Sequence, residues 1–324
     1  MRWGEMAVLA AAAVLAAGVH APAAAQPYPA RPVKMIVPFA AGSGSDIVAR
    51  ILADELRKGL NQSFLVENKP GASAQIAAEA VVKSAPDGYT LFVTTNTANS
   101  ANPWLFKKLN YDAIKDFTPI ARVTYHPYVL VVRPDSGIAT VRDLVEKARA
   151  NPGKLNYGYG SSTSQVAGAA FVHRAKLDVT AVPYKSMPGV LTDVIGGRLD
   201  FVFADLTSIH GHVQAGQLKP IAFTLLQRAS QLPGVPTVAE TPGFEGYEVT
   251  SWIGIVGPAN VPRDIVERVN AEVNRILQRP EIRTRLAELG GETAPGTPEE
   301  FAAFMRQQLE SWRVKIQAAG IQPE

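Results

Sequence analysis

The chain of 324 residues contains no cysteine. That excludes disulfides, thiolate nucleophiles, cysteine metal sites and a lipid anchor through a lipobox cysteine. A chain of this length does not need disulfides, because it buries most of its unfolded surface. Charge is also sparse, at 19% Asp, Glu, Lys and Arg, with a net charge of only +3. No Lys/Arg block stands out, which argues against the clustered basic footprint of a nucleic-acid binder. Histidines are few. In 26–324 they are His126, His173, His210 and His212. His210 and His212 could pair on a metal, but no third ligand is spaced to help, so a solvent-facing pair is the expectation.

The one long apolar run is at the start. Arg2 precedes Met6 to Val19, which is too short to span a bilayer, since roughly 20 apolar residues are needed. Ala23, Ala24 and Ala25 follow, with Pro22, Pro27, Pro29 and Pro32 around them. This is the pattern of a secretory signal peptide, residues 1–25, cleaved near Ala25 to leave Gln26 first. The expected location is the periplasm. Arg2 and Glu5 leave together, so the net charge is unchanged. A slight positive balance favours anionic ligands only weakly.

The remainder alternates strand-like and helix-like segments. Residues 33–37 form an apolar run, followed by a Gly/Ser turn. Ile47, Val48, Ile51, Leu52 and Leu56 then recur at helical spacing. Strands are predicted at 63–67, 89–95, 155–159, 179–184, 199–204 and 219–225, with helices at 75–83 and 164–176. Strands alternating with helices imply βαβ units and a largely parallel sheet. Thr140 and Asp143 have capping-box spacing. Ile265, Val269, Val273 and Ile276 form one apolar stripe, and Met305, Leu309, Trp312 and Ile316 another, both read as core faces. Length allows about two domains.

One device occurs twice: strand, Gly/Ser turn, helix start. The first turn is Pro38-Phe39-Ala40-Ala41-Gly42-Ser43-Gly44-Ser45-Asp46, and the second is Gly158-Tyr159-Gly160-Ser161-Ser162-Thr163-Ser164-Gln165. Glycine admits close backbone approach. The first N–H groups of a helix lack internal partners and carry the positive end of its dipole, so an anion finds preoriented donors there. Hydroxyls of Ser43 and Ser45 add to the first turn. The plainer reading of that turn is an ordinary helix cap by Ser45 or Asp46. Two such turns facing each other could hold one carboxylate from both sides, through amides and hydroxyls and without an arginine clamp.

Other chemistries fit poorly. Gly42 and Gly44 begin a G-x-G-x-x-G fingerprint, with Glu67 at the distance of a ribose-binding acid, but Ile47 replaces the third glycine. A nucleophile elbow would need glycine where Ala41 stands, two residues before Ser43. No cofactor and no catalytic residue is therefore expected.

Further stretches carry a family resemblance. Pro38 to Asp46 is similar to P-F-x-x-G-G-x-x-D. Val66-Glu67-Asn68-Lys69-Pro70-Gly71-Ala72 is similar to V-E-N-[RK]-P-G-A, and Pro86-Asp87-Gly88-Tyr89-Thr90-Leu91 to P-D-G-Y-T-L. Val182-Pro183-Tyr184-Lys185, the segment from Leu191 to Asp200, and Pro233 to Glu240 match V-P-Y-K, L-T-D-x-x-G-G-x-x-D and P-x-V-P-T-[VI]-A-E. Together these resemble the Bug-type solute-binding proteins, extracytoplasmic receptors of tripartite tricarboxylate transporters.

The resemblance implies a type II periplasmic-binding-protein fold: α/β, two lobes joined by a hinge. Lobe 1 would be 26–125 plus 250–324, and lobe 2 would be 126–249. It implies a monomeric receptor, not an enzyme, that holds a small carboxylate (a di- or tricarboxylate, an amino acid or an aromatic acid) in the interlobe cleft. The partner would be a membrane transporter, or alternatively a membrane sensor kinase; an exported hydrolase is the remaining rival. Carried over, the ligand-binding residues are Phe39, Ala40, Ala41, Gly42, Ser43, Ser45 and Asp46 in lobe 1. In lobe 2 they are Gly160, Ser161, Ser162, Thr163, Ser164 and Gln165. Asn96, Thr97 and Asp205 lie where the family lines its cleft. Tyr159, Phe39 and Trp252 could make that cleft friendly to aromatic ligands. This chain departs from the pattern at Ser43, where glycine is usual, at Val166, where histidine is usual, and at Ala204, where an acid is usual.

Overall fold

The computed structural model describes residues 28–324; the leader and cleavage site expected from the sequence lie outside them. The chain divides into units 1–30 and 31–324, and the architecture below is that of 31–324.

Its chain order is β1 (Val33–Val37), α1 (Gly44–Leu60), β2 (Phe64–Asn68), α2 (Gln75–Val82), β3 (Thr90–Thr95), α3 (Asn102–Leu105) and β4 (Phe117–Val132). There follow α4 (Val141–Ala150), β5 (Asn156–Tyr159), α5 (Ser162–Ala175), β6 (Thr180–Pro183), α6 (Met187–Ile195), β7 (Phe201–Asp205), α7 (Leu206–Gln214) and β8 (Lys219–Phe223). The last elements are β9 (Thr250–Pro258), α8 (Arg263–Gln278), α9 (Pro280–Glu288), β10 (Glu292–Thr293) and α10 (Pro298–Ala318). Among the described residues no helix is long and apolar enough to cross a membrane.

The α/β alternation expected from the sequence is present. α1 buries Val48, Ile51, Leu52 and Leu56 along one face. α4 opens on the Thr140/Asp143 capping box, with both reciprocal bonds made. α5 begins two residues earlier than periodicity suggested, because Ser161 caps it by accepting the Ser164 N–H.

The strand order is β2-β1-β3-β9-β4-β7-β5-β6, with β8 and β10 also on β4. Within it, β2, β1 and β3 are mutually parallel, as are β6, β5 and β7. β3 runs antiparallel to β9 and β7 antiparallel to β4, so each half has three parallel strands and one reversed neighbour. The 16-residue β4 belongs to both halves. Its first part, to Pro127, pairs with β9; from Tyr128 it pairs with β7 and β8. All parallel strands end toward the junction, so the turns after β1, β3, β5 and β7 meet there.

The helix α10 ties the halves together. Phe301 and Met305 sit in a core with Ile36, Phe92 and Trp252. About two to four turns after Met305, Trp312, Ile316 and Ala319 sit in a core with Phe171, Phe201 and Phe203. The end of α10 thus shares its packing with the second half. Trp312 is fully buried, and its indole N–H has no partner among the described residues. Trp312→Ala should destabilise the protein by about 3–5 kcal/mol, as large-to-small changes of buried aromatics do. Urea unfolding measures this; a loss below 1 kcal/mol would show that α10 does not bear on the second core.

Candidate functional site

Four helices begin around one cavity. They are α1 after β1, α5 after β5, α6 after the segment following β6, and α7 after β7. The cavity is about 40 Å³ and is walled by Ser43, Gly44 and Ser45 of the first turn, Gly160, Ser161 and Thr163 of the second, Met187 at the start of α6 and Asp205 before α7. A water needs roughly 10–15 Å³ of such space, so it has room for only a few. Each helix start contributes amides with no carbonyl partner inside its own helix.

The halves touch directly across this point. The Ala40 N–H donates to Ser186 Oγ at 3.1 Å, and the Gly44 N–H to Ser208 Oγ at 2.9 Å. Asn96 Nδ2 donates to Thr163 Oγ1 at 2.7 Å, and Ser162 Oγ donates to Asn102 Oδ1 at 3.3 Å. The structure is that of a closed cleft. Gly44 makes that closeness possible: a Cβ there would lie 2.2 Å from Asp205 Oδ1. Gly160 does the same within the second half, where a Cβ would lie 2.4 Å from the Met187 backbone nitrogen.

Of the residues expected from the sequence, Phe39, Ser43, Ser45, Asn96, Thr97, Gly160, Ser161, Thr163 and Asp205 line the cavity. Ala40, Ala41, Gly42, Asp46, Ser162, Ser164 and Gln165 are not in its wall. Asp46 is engaged elsewhere: it accepts from the Gly42 N–H at 2.9 Å, from Asn68 Nδ2 at 2.9 Å and from Arg50. Burial pushes its carboxyl up, but these bonds outweigh burial and hold it below the usual range. Asp46 is therefore the strut that shapes the turn. Ser164 Oγ is spent on the Phe203 carbonyl at 2.6 Å. Gln165 faces a second, outer chamber of about 270 Å³, which shares Gly160 and Ser161 with the first and is also bordered by Tyr159. Trp252 is core, edge-on to Phe301 and Phe304.

Sequence reasoning missed Gly44, Thr95, His126, Tyr128, Met187, Ser251 and Ile253. Gly44 was within the quoted turn; the others come from strands or a helix start that no local pattern marks. His126 is the informative one. Thr207 Oγ1 spends its only hydrogen on the Leu289 carbonyl, at 2.7 Å. It must therefore accept from His126 Nδ1–H, 3.2 Å away. That leaves Nε2 to accept from Thr124 Oγ1, at 2.7 Å. Burial drives the imidazole down to about 4, so it is neutral. Among the described residues no Lys or Arg lines the cavity, and no His, Cys, Asp or Glu group could hold a metal.

Comparison with known proteins follows the same lines. The signature of the family described as tripartite tricarboxylate transporter family receptor matches residues 48–321. A UPF0065 protein from the tcbD-tcbE intergenic region of Pseudomonas sp. (strain P51) is 34% identical over 292 residues, covering 89% of this chain and 86% of that protein. The structure of R. palustris Rpa4515 with adipate superposes with a TM-score of 0.89 at 31% identity, covering 92% of this chain and 100% of that one. The periplasmic binding protein BugD superposes with a TM-score of 0.87 at 30% identity, covering 92% and 100%. The type II, two-lobed α/β fold expected from the sequence is thereby shown.

Two outcomes test this geometry. Gly44→Ala should keep the cleft from closing fully, because its methyl collides with Asp205; at a carboxylate concentration that closes wild type, small-angle scattering should give the variant a larger radius of gyration, and an equal radius would refute the tight approach. His126 is neutral when folded and has a pKa near 6.5 when unfolded, so the unfolded state binds more protons between those values and stability falls as pH drops from 6.5 toward 4. Between pH 7 and pH 5 wild type should lose about 2 kcal/mol more than His126→Gln in denaturant unfolding. Equal losses would show that His126 titrates normally.

Proposed function

Because this chain belongs to the tripartite tricarboxylate transporter family of receptors, we propose that it captures a small carboxylate between its lobes in the periplasm and hands it to a membrane transporter. The family is one of solute-binding proteins and not of enzymes. The observation that carries the reading is the convergence of four helix starts on one cavity without a single lysine or arginine. Preoriented amides and the positive ends of helix dipoles suit an anion, and they cost no side-chain entropy to assemble. The adipate held by a structural neighbour is a carboxylate of the expected kind.

Capture proceeds by closure. Lobe 1 is 26–125 with 250–324 and lobe 2 is 126–249, with the hinge near the point where β4 changes partners and where β9 returns. In the open form the carboxylate meets the Gly44 and Ser45 amides and the hydroxyls of Ser43 and Ser45. Rotation then brings the Gly160–Thr163 turn onto its other side and expels water. A ligand favours the closed form only to the extent that it binds both lobes at once. The outer chamber beyond Gly160 and Ser161 receives the rest of the molecule. The protein acts as a monomer, needs no cofactor and turns nothing over.

A thermal-shift screen over mono-, di- and tricarboxylates, amino acids and aromatic acids tests the reading. At one hundred times its Kd a ligand stabilises by about 2.7 kcal/mol, a shift of several degrees. Thr163→Trp, which fills the cavity from lobe 2, should abolish that shift. A shift from neutral sugars and none from carboxylates would overturn the proposal.

A further inference from the structure

Asp205 is the one formally charged side chain in the cavity wall. It lies deep in the protein yet keeps part of its surface open to the cavity. Burial pushes its carboxyl above the usual range; the Ser208 N–H and hydroxyl oppose that without overcoming it. A carboxylate has about four acceptor positions. Ser208 supplies its N–H to Oδ1 at 2.9 Å, and one hydroxyl shared between Oδ1 and Oδ2 at 2.8 Å. The carboxyl also accepts from the backbone N–H of Asp205 itself, so about one position remains. No cation stands by to fill it: lysine and arginine are absent from the wall, and His126 is held neutral between two threonine hydroxyls.

A second acceptor is also unfilled. Asn96 is fully buried and gives its Nδ2 to Thr163, while its Oδ1 has no partner. Asn96 and Asp205 border the same small cavity, Asn96 from lobe 1 and Asp205 from lobe 2. A buried acceptor left without a donor, and a buried charge left without a counter-charge, both cost stability. A group with three N–H donors and a positive charge would satisfy both at once.

We propose that Asp205 and Asn96 Oδ1 hold the ammonium of a zwitterionic ligand, which makes Asp205 the residue that selects α-amino acids over plain carboxylic acids. This rests on the carboxylate-capture reading and narrows it. The ligand's carboxylate takes the amides at the starts of α1 and α5, its ammonium sits between Asp205 and Asn96, and its side chain leaves past Gly160 and Ser161 into the outer chamber. A carboxylate placed against Asp205 would meet a like charge with no lysine or arginine in that wall, so the second carboxylate of a dicarboxylate would have to reach the outer chamber, which Lys185 borders.

Calorimetry on the purified protein at pH 7 separates the possibilities. The probes are L-alanine, L-leucine, L-phenylalanine, L-aspartate and L-glutamate, each against its des-amino counterpart: propionate, 4-methylpentanoate, 3-phenylpropionate, succinate and glutarate. At least one amino acid should bind ten-fold or more tightly than its counterpart. Asp205→Asn should shrink the preference for that amino acid over its counterpart at least ten-fold, whatever it does to the counterpart's own affinity. Des-amino acids binding as tightly as their partners, or Asp205→Asn retaining the preference, would overturn the inference while leaving carboxylate capture intact. The wild-type comparison decides even if the variant does not fold. Binding by neither series would overturn the inference and leave carboxylate capture to the broader thermal-shift screen.

Discussion

Four sets of helix-start amides face one another across a space that holds only a few waters, and the rest of the molecule answers to that constraint. Such donors are costly to bury without acceptors. The closed cleft meets the need partly with hydroxyls and partly with Asp205. The Gly44 amide reaches Ser208 Oγ, which in turn donates to Asp205, so a charge in lobe 2 is felt by a helix start in lobe 1. The contact closes only because Gly44 has no side chain. Chemistry and closure therefore depend on the same atoms.

Two acids near the site show how surroundings divide one residue type into two roles. Asp46 is tied by Gly42, Asn68 and Arg50 and stays ionised as part of the scaffold. Asn68 also donates to the Phe39 carbonyl, so β2 and the turn after β1 are held as one unit. Asp205 has Ser208 and no cation, and burial raises its carboxyl. The first acid is finished within the fold. The second leaves acceptor capacity facing the cavity, where a bound molecule can use it.

The frame around the cleft is shared between the lobes. β4 pairs with both halves of the sheet, and α10 buries aromatics in both cores. Any motion between the lobes would bend β4, the start of β9 and α10, and not a loose linker. His126, near the change of β4's pairing partner, is locked by Thr124 and Thr207 into one tautomer, which ties that bend to the cavity wall.

Much of this was legible in the chain itself. Alternating apolar runs specify strands and helices because each must bury one face, and Gly/Ser clusters between them specify tight turns opening onto helix starts. The Thr140/Asp143 cap and the α1 stripe are local, and local pattern suffices for them. Both Gly/Ser turns reach the cavity for the same reason. Tertiary structure alone decided which residues within those turns face inward. At a helix start successive side chains point about 100° apart, so Ser45 and Thr163 line the cavity while the residues next to them, Asp46 and Ser164, bond to their own lobe. It also brought in His126, Tyr128, Met187, Ser251 and Ile253, which meet only because β4 and β9 cross between the halves and α6 begins at the junction. No spacing in the sequence records that meeting, because it is produced by strands paired more than a hundred residues apart.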